Sequence, residues 1–306
     1  MTINLNGLIL PITTPFTTNE KIDTTALTAN IQRWNTTGIS GYVVLGSTGE
    51  RVNLDESEYL RVIEAAREAT PRNLCFIVGA GQQSTRSTIE EIGRATKAGA
   101  EAALVITPHY YRSAITPQAL VDHYRAVADA SATPIILYSM PDLTGVKIEP
   151  ETAAKLSEHQ NIVGMKDSSN DMVTFRETVR VVDKNFTMTI GNGTVFAGAL
   201  EAGAGAGILA VGCVVPELCL EIYRAVRAGD VQLASILQDK LTPLARAVTK
   251  TYGIGGLKVA LEFEGYHGGA VRAPLQRPGE EACREIAELI KRAKEIHANS
   301  QVSAVS

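Results

Sequence analysis

Short apolar runs recur along the chain, each of strand length and each followed by a stretch in which apolar residues return every three or four positions. The runs are Leu8-Ile12, Gly41-Leu45, Leu74-Gly79, Ala102-Thr107, Pro134-Tyr138, Ile162-Lys166, Phe186-Ile190 and Gly207-Val211, with starts about 21 to 33 residues apart. Between them, Asp55-Ala69 and Thr116-Ala130 carry the helical period, as in Leu120, Tyr124 and Val127. The strand runs are apolar throughout instead of alternating, the signature of parallel strands covered on both faces. Eight strand-helix units predict an α/β fold, a closed (β/α)8 TIM barrel over residues 1–229. The rival, a doubly wound sheet, calls for a glycine-rich turn after the first strand, where this chain has Thr13-Thr14-Pro15-Phe16. Beyond residue 229 no further strand is evident. Val231-Thr249, Gly253-Glu264 and Gly279-His297 read as about three helices of a C-terminal extension over 230–306, broken at Gly253, Gly255-Gly256 and Pro274, with a frayed tail from Ala298.

Composition narrows the function classes. The 29 basic and 33 acidic side chains are mixed evenly and the net charge is −4, so there is no electrostatic footprint for nucleic acid or an anionic membrane. The charge-free stretch near the middle, Ala202-Pro216, has glycines in it and is shorter than the ~20 residues a membrane span needs. Pro11 interrupts the first apolar run, no basic residue precedes it, and no signal peptide is expected. Cys75, Cys213, Cys219 and Cys283 form no CxxC pair and read as buried thiols of a reducing compartment, which points to a cytoplasmic enzyme. The histidines His109, His123, His159, His267 and His297 lack ligand spacing, and no metal site is expected.

In such a barrel, reacting groups project from the C-terminal strand ends. The sixth run ends in Lys166. If Val163 and Met165 face the helices, Ile162, Gly164 and Lys166 face the barrel axis, and Gly164 leaves room beneath the lysine. The same alternation turns Tyr138 inward on the neighbouring strand. An ammonium in an apolar mouth loses hydration, which favours the neutral amine that attacks ketones to form an imine, and a nearby phenol can shuttle protons. The bland alternatives are a strand-end lysine reaching into solvent and a core tyrosine. Gly46-Ser47-Thr48-Gly49-Glu50 after the second run can converge backbone N–H groups on a carboxylate or phosphate, or can be an ordinary turn. Gly191-Asn192-Gly193-Thr194 after the seventh run offers a weaker anion loop, which would suit a phosphosugar isomerase. Gly253-Ile254-Gly255-Gly256 lies outside any βαβ unit and reads as a helix break. Tyr110-Tyr111 is an aromatic pair of the kind found at subunit interfaces.

Gly46-Ser47-Thr48-Gly49-Glu50, Thr107-Pro108 before the tyrosine pair, Tyr138 followed by Met140-Pro141 and Thr144-Gly145, and Gly164-Met165-Lys166-Asp167-Ser168 together resemble the dihydrodipicolinate synthase/N-acetylneuraminate lyase family. The resemblance runs in order over roughly residues 7–295. It implies a homotetrameric barrel performing class I aldolase chemistry on pyruvate or another small 2-oxo acid, without cofactor or metal. It makes Lys166 the Schiff-base lysine and Tyr138 the proton-transferring phenol. Ser47 would relay protons between Tyr138 and a Tyr110 supplied by a neighbouring subunit. Backbone N–H groups of Ser47 and Thr48 would hold the substrate carboxylate, and Ser168 and Gly191 would line the space for the second half of the substrate. Two departures steer the reading. Leu143 stands where synthases of the family usually carry an arginine for the carboxylate of aspartate semialdehyde, leaving Arg112 as another cation nearby. Gly193-Thr194 replaces the acidic pair of the sialic acid lyases. The overall wording, including Gly265-Tyr266-His267-Gly268-Gly269 and Arg272-Ala273-Pro274, looks most like 4-hydroxy-2-oxoglutarate aldolases. Cleavage of that acid to pyruvate and glyoxylate is therefore the first expectation, dihydrodipicolinate synthesis the second, and a keto-acid sensor without turnover the rival from another class.

Overall fold

The computed structural model of the chain describes residues 3–295. Eight parallel strands close into a barrel in sequence order. They are β1 (Gly7–Pro11), β2 (Gly41–Val44), β3 (Cys75–Ala80), β4 (Ala102–Ile106), β5 (Ile135–Ser139), β6 (Ile162–Asp167), β7 (Thr187–Ile190) and β8 (Ala206–Ile208). Every predicted run is matched within a few residues. The last is shortest, because the chain turns into a 3₁₀ segment at Ala210–Cys213. A doubly wound sheet is excluded, since β1 pairs with β8 as well as with β2.

Strand alternation sorts the apolar residues into two cores. Ile9, Val43, Ile77, Leu104, Ile136 and Tyr138 pack inside the barrel. Leu10, Tyr42, Val44, Phe76, Val105 and Leu137 pack outward against the helices. Leu5, ahead of β1, plugs the N-terminal end of the interior. The helices start where the sequence supplies caps: Asp55 closes a full capping box with Glu58 on Glu56–Ala69, and Thr116 caps Pro117–Ala130 with proline in its first turn.

One assignment inverts. On β6 the register shifts between Ile135 and Ile136, so that Ile162 pairs with Ile135 while Gly164, not Val163, pairs with Ile136. This bulge changes the phase of the strand. Ile162, expected inward, belongs to the outer core, and Val163, expected outward, packs against the inner one. Beyond the bulge Gly164 and Lys166 recover the expected inward phase beside Ile136 and Tyr138. The room foreseen under the lysine is filled: a Cβ at Gly164 would lie 2.5 Å from the carbonyl oxygen of Thr187 and 3.1 Å from Leu5.

After the barrel come helices Val231–Arg246, Gly253–Phe263 and Glu280–Lys294. Gly253, in the left-handed region at φ 56, does mark a break, but Gly255 and Gly256 lie within the second helix. They are small for packing: a Cβ on them would fall 2.3 Å from the Gln276 carbonyl oxygen and 2.4 Å from the Tyr252 Cβ. His297 and the tail from Ala298 lie outside the described residues. Cys75, Cys213 and Cys219 are buried as expected, whereas Cys283 is only partly buried. Among the described residues, no helix is long and apolar enough to cross a membrane.

Candidate active site

The C-terminal rim of the barrel brings Lys166, Tyr138 and Ser47 together. Tyr138 and Lys166 are direct partners across the β5–β6 pair, and the Lys166 Nζ stands 4.4 Å from the centre of the Tyr138 ring. Both side chains are buried, at 5% and 4% exposure, so the bland reading of a solvated strand-end lysine fails. The Tyr138 hydroxyl lies 3.2 Å from the Ser47 Oγ, which bridges strands β2 and β5 at the mouth. Burial pushes the phenol pKa up, but the Lys166 ammonium and then the hydroxyls of Ser47 and Ser168 outweigh it and hold the group below the ordinary phenol range. A phenol tuned in this way gives up and regains its proton more readily.

Ser47-Thr48-Gly49 forms a 3₁₀ turn whose own bonds run from the Gly49 N–H to Gly46 and from the Glu50 N–H to Ser47. The N–H groups of Ser47 and Thr48 stand outside that ladder, as first-turn donors do. Left-handed backbone brackets the turn on both sides, with Leu45 at φ 59 and Glu50 at φ 56. Each non-glycine residue held this way costs roughly 1–3 kcal/mol, which the surroundings must supply.

Ser168 and Gly191 close the other side. A Cβ on Gly191 would lie 2.0 Å from the Ser168 Oγ and 2.6 Å from the Lys166 Cε. Gly191 therefore makes room for the lysine and the serine themselves. Its N–H donates to the Asp167 carbonyl at 2.6 Å, which fastens the loop after β7 to the end of β6. Burial raises the Asp167 carboxyl, although its oxygen accepts from the Ser169 N–H at 2.7 Å. Asn192, Asn170 and Thr194 form a neutral hydrogen-bonded group beside this loop, with the Asn192 amide donating to Asn170 at 2.5 Å.

Tyr110 is not assembled with the others. It is 74% exposed and meets Tyr111, itself 70% exposed, edge to face at 5.0 Å. Arg112, the other cation expected near Leu143, leans on the loop after β5, where a Gly145 Cβ would lie 2.8 Å from its Nη1. Sequence reasoning missed Lys258, which is fully buried against Glu50; a lone charge inside Leu257-Lys258-Val259-Ala260-Leu261 was the available signal. A recess of about 770 Å3, lined by Ser40, Arg72, Cys75 and Thr133 among others, opens elsewhere, around the N-terminal ends of β3 and β5.

An amine and a phenol buried side by side at the C-terminal mouth of a (β/α)8 barrel define the class of the molecule: a barrel enzyme built for carbonyl chemistry. The sequence profile of the dihydrodipicolinate synthetase family matches residues 4–293, and the chain belongs to that family. It is 36% identical over 276 residues to a 4-hydroxy-tetrahydrodipicolinate synthase of Hyphomonas neptunium, covering 89% of this chain and 93% of the relative. It is also 36% identical over 296 residues to one of Methanopyrus kandleri, covering 95% and 96%. Among solved structures, a dihydrodipicolinate synthase of Acinetobacter baumannii complexed with pyruvate superposes with a TM-score of 0.88 at 28% identity, covering 94% of this chain and 99% of that one.

Proposed function

We propose that the chain is a pyruvate-dependent Schiff-base (class I) aldolase of this family. The observation that carries the reading is the buried pair of Lys166 Nζ and Tyr138, 4.4 Å from nitrogen to ring centre, with the phenol hydroxyl 3.2 Å from Ser47. The amine form of Lys166 adds to C2 of the 2-oxo acid and water leaves, giving an iminium. Loss of a C3 proton yields an enamine, whose C3 attacks the aldehyde carbonyl of the second substrate. Tyr138, relayed by Ser47, gives the new alkoxide its proton, and Ser47 and Thr48 N–H groups hold the carboxylate of the 2-oxo acid. In the cleavage direction Tyr138 takes the C4 hydroxyl proton, the C3–C4 electron pair moves into the iminium as the aldehyde leaves, the resulting enamine is protonated at C3, and water then hydrolyses the iminium to release pyruvate and free Lys166. Ser168 and Gly191 line the remaining space.

For the second substrate the relatives' names favour condensation to 4-hydroxy-tetrahydrodipicolinate, in which the amine of aspartate semialdehyde displaces Lys166 from C2 as the ring closes, over the 4-hydroxy-2-oxoglutarate cleavage suggested by the motif wording. One observation keeps cleavage as a second reading: residue 143 is a leucine, 63% exposed, where an arginine would grip the semialdehyde's carboxylate. Both substrates bring a second carboxylate, and Arg112, beside Gly145 and with no acidic partner among the described residues, receives it. The exposed Tyr110-Tyr111 pair, with no bond from Tyr110 to Ser47 within the chain, supports a homotetramer in which Tyr110 completes a neighbour's site. We read residues 1–229 as the catalytic barrel and 230–306 as its extension.

Borohydride reduction in the presence of pyruvate tests the chemistry. A stable adduct mapping to Lys166 is expected, and label on another lysine, or none, refutes the reading. Parallel assays with aspartate semialdehyde plus pyruvate and with 4-hydroxy-2-oxoglutarate rank the substrates. Faster cleavage than condensation restores the second reading.

A further inference from the structure

The C-terminal extension buries a lysine that the aldolase chemistry does not use. Lys258 sits inside helix Gly253–Phe263, in a run that is buried from Gly255 to Leu261. Its side chain is 1% exposed, as is that of Glu50, with which it forms an ion pair at 2.6 Å. The ammonium also donates to the carbonyl oxygens of Thr14 at 2.8 Å and Ala270 at 2.6 Å, and its Nζ lies 4.5 Å from the centre of the Phe16 ring. Two carbonyls thus accept hydrogen bonds from the ammonium, and the Glu50 carboxylate supplies the opposite charge that a buried cation requires.

These three oxygens come from three separate segments: the loop after β1, the end of the turn after β2, and the strap that follows the helix. Two of them flank the turn that carries Ser47 and Thr48. Glu50 closes that turn in its left-handed conformation, and its N–H bonds back to the Ser47 carbonyl at 3.2 Å. Thr14 holds the middle, its hydroxyl donating to the Gly49 carbonyl at 2.7 Å. The strap adds Arg272, whose guanidinium donates to Glu58 and to the Asn53 and Glu20 carbonyls, so the helix behind the turn is tied to the same point.

We propose that Lys258 is a positioning residue for the carboxylate-binding turn: by pinning Glu50 and Thr14 from beneath, it aims the Ser47 and Thr48 N–H groups and sets the Ser47 hydroxyl against Tyr138. The lysine touches no substrate. The proposal rests on reading that turn as the seat of the 2-oxo acid carboxylate, and it makes the extension part of the active site's framework. A purely structural lysine would lower stability and leave the affinity for pyruvate alone.

The test compares the unaltered full-length chain with Glu50→Gln, which keeps the volume and removes one charge, and with Lys258→Met combined with Glu50→Gln, which leaves no unpaired buried charge. Thermal unfolding, the KM for pyruvate, kcat, and the rate of borohydride trapping at saturating pyruvate are measured on each. The expected result is a KM for pyruvate raised about tenfold or more in the double variant and less in Glu50→Gln, the size of a misaligned bond to a charged group. Trapping at saturating pyruvate should still occur at Lys166. Either variant folding with an unaltered KM overturns the proposal, and Glu50→Gln alone decides it if the double variant does not fold. Failure of the unaltered chain to form any pyruvate adduct refutes the aldolase reading instead, and is read separately.

Discussion

Gly191→Ala probes how tightly the reactive lysine is held. The backbone at Gly191 is not left-handed, so only space opposes a methyl group. That methyl would lie 2.6 Å from the Lys166 Cε and 2.0 Å from the Ser168 Oγ, whereas ordinary contact begins at 3.4 Å. Lys166 must retreat by about 0.8 Å and the serine oxygen by about 1.4 Å. The hydroxyl can rotate away, but it then leaves the phenol whose acidity it supports. The Cε cannot retreat without swinging Nζ, because the chain is enclosed by β5, β6 and β7. A displacement near 1 Å at a reacting atom costs roughly 100-fold in rate, and overpacking costs about 1–3 kcal/mol of stability. The assay is single-turnover borohydride trapping of pyruvate, followed by peptide mapping, with thermal unfolding as the control. Trapping should slow by about two orders of magnitude in a chain that still folds. A folded Gly191→Ala that traps pyruvate within twofold of the unaltered rate would refute the crowded geometry and the role assigned to this glycine.

Three further outcomes are expected. Tyr138→Phe removes the proton carrier but not the nucleophile, so turnover should drop about 10²–10⁴-fold while an adduct still maps to Lys166; turnover near the unaltered level would remove the phenol from the mechanism. Arg112→Leu should raise the KM for the second substrate about tenfold or more and leave pyruvate trapping intact, and the opposite pattern in steady-state kinetics would place the second carboxylate elsewhere. His123 is buried, its Nδ1 2.9 Å from the Thr85 Oγ1 and its Nε2 without a partner, and burial lowers its pKa to about 4. The unfolded chain binds that proton at the ordinary value near 6.5, so stability is intact above it and falls as the pH drops from about 6.5 to about 4, by about 3 kcal/mol in all. His123→Gln should flatten that part of the curve in urea unfolding at stepped pH, and an unchanged slope would mean another group is responsible.

What the sequence determined by itself is local. Unbroken apolar runs report strands covered on both faces, and their regular spacing with amphipathic stretches between them leads to a closed barrel. Because side chains alternate along a strand, Tyr138 and the strand-end Lys166 could be turned inward before any coordinates were known. The same rule misjudged Ile162 and Val163, since a bulge on β6 is set by the pairing with β5 and leaves no mark in a run with no polar side chain before Lys166. Alternation suggests that Gly164 leaves room beneath the lysine, yet Thr187 and Leu5 fill it, and the crowding of Gly191 by Ser168 and Lys166 likewise depends on how neighbouring strands meet. The family resemblance suggested a cleavage reaction from its wording, and the relatives lean to condensation, because one exposed position such as Leu143 says little about which cation reaches a carboxylate across loops. The tertiary structure alone decided that Lys258 meets Glu50 and Thr14. A buried charge can be recognised as costly from its apolar neighbours, but its partners are chosen by how the chain closes on itself.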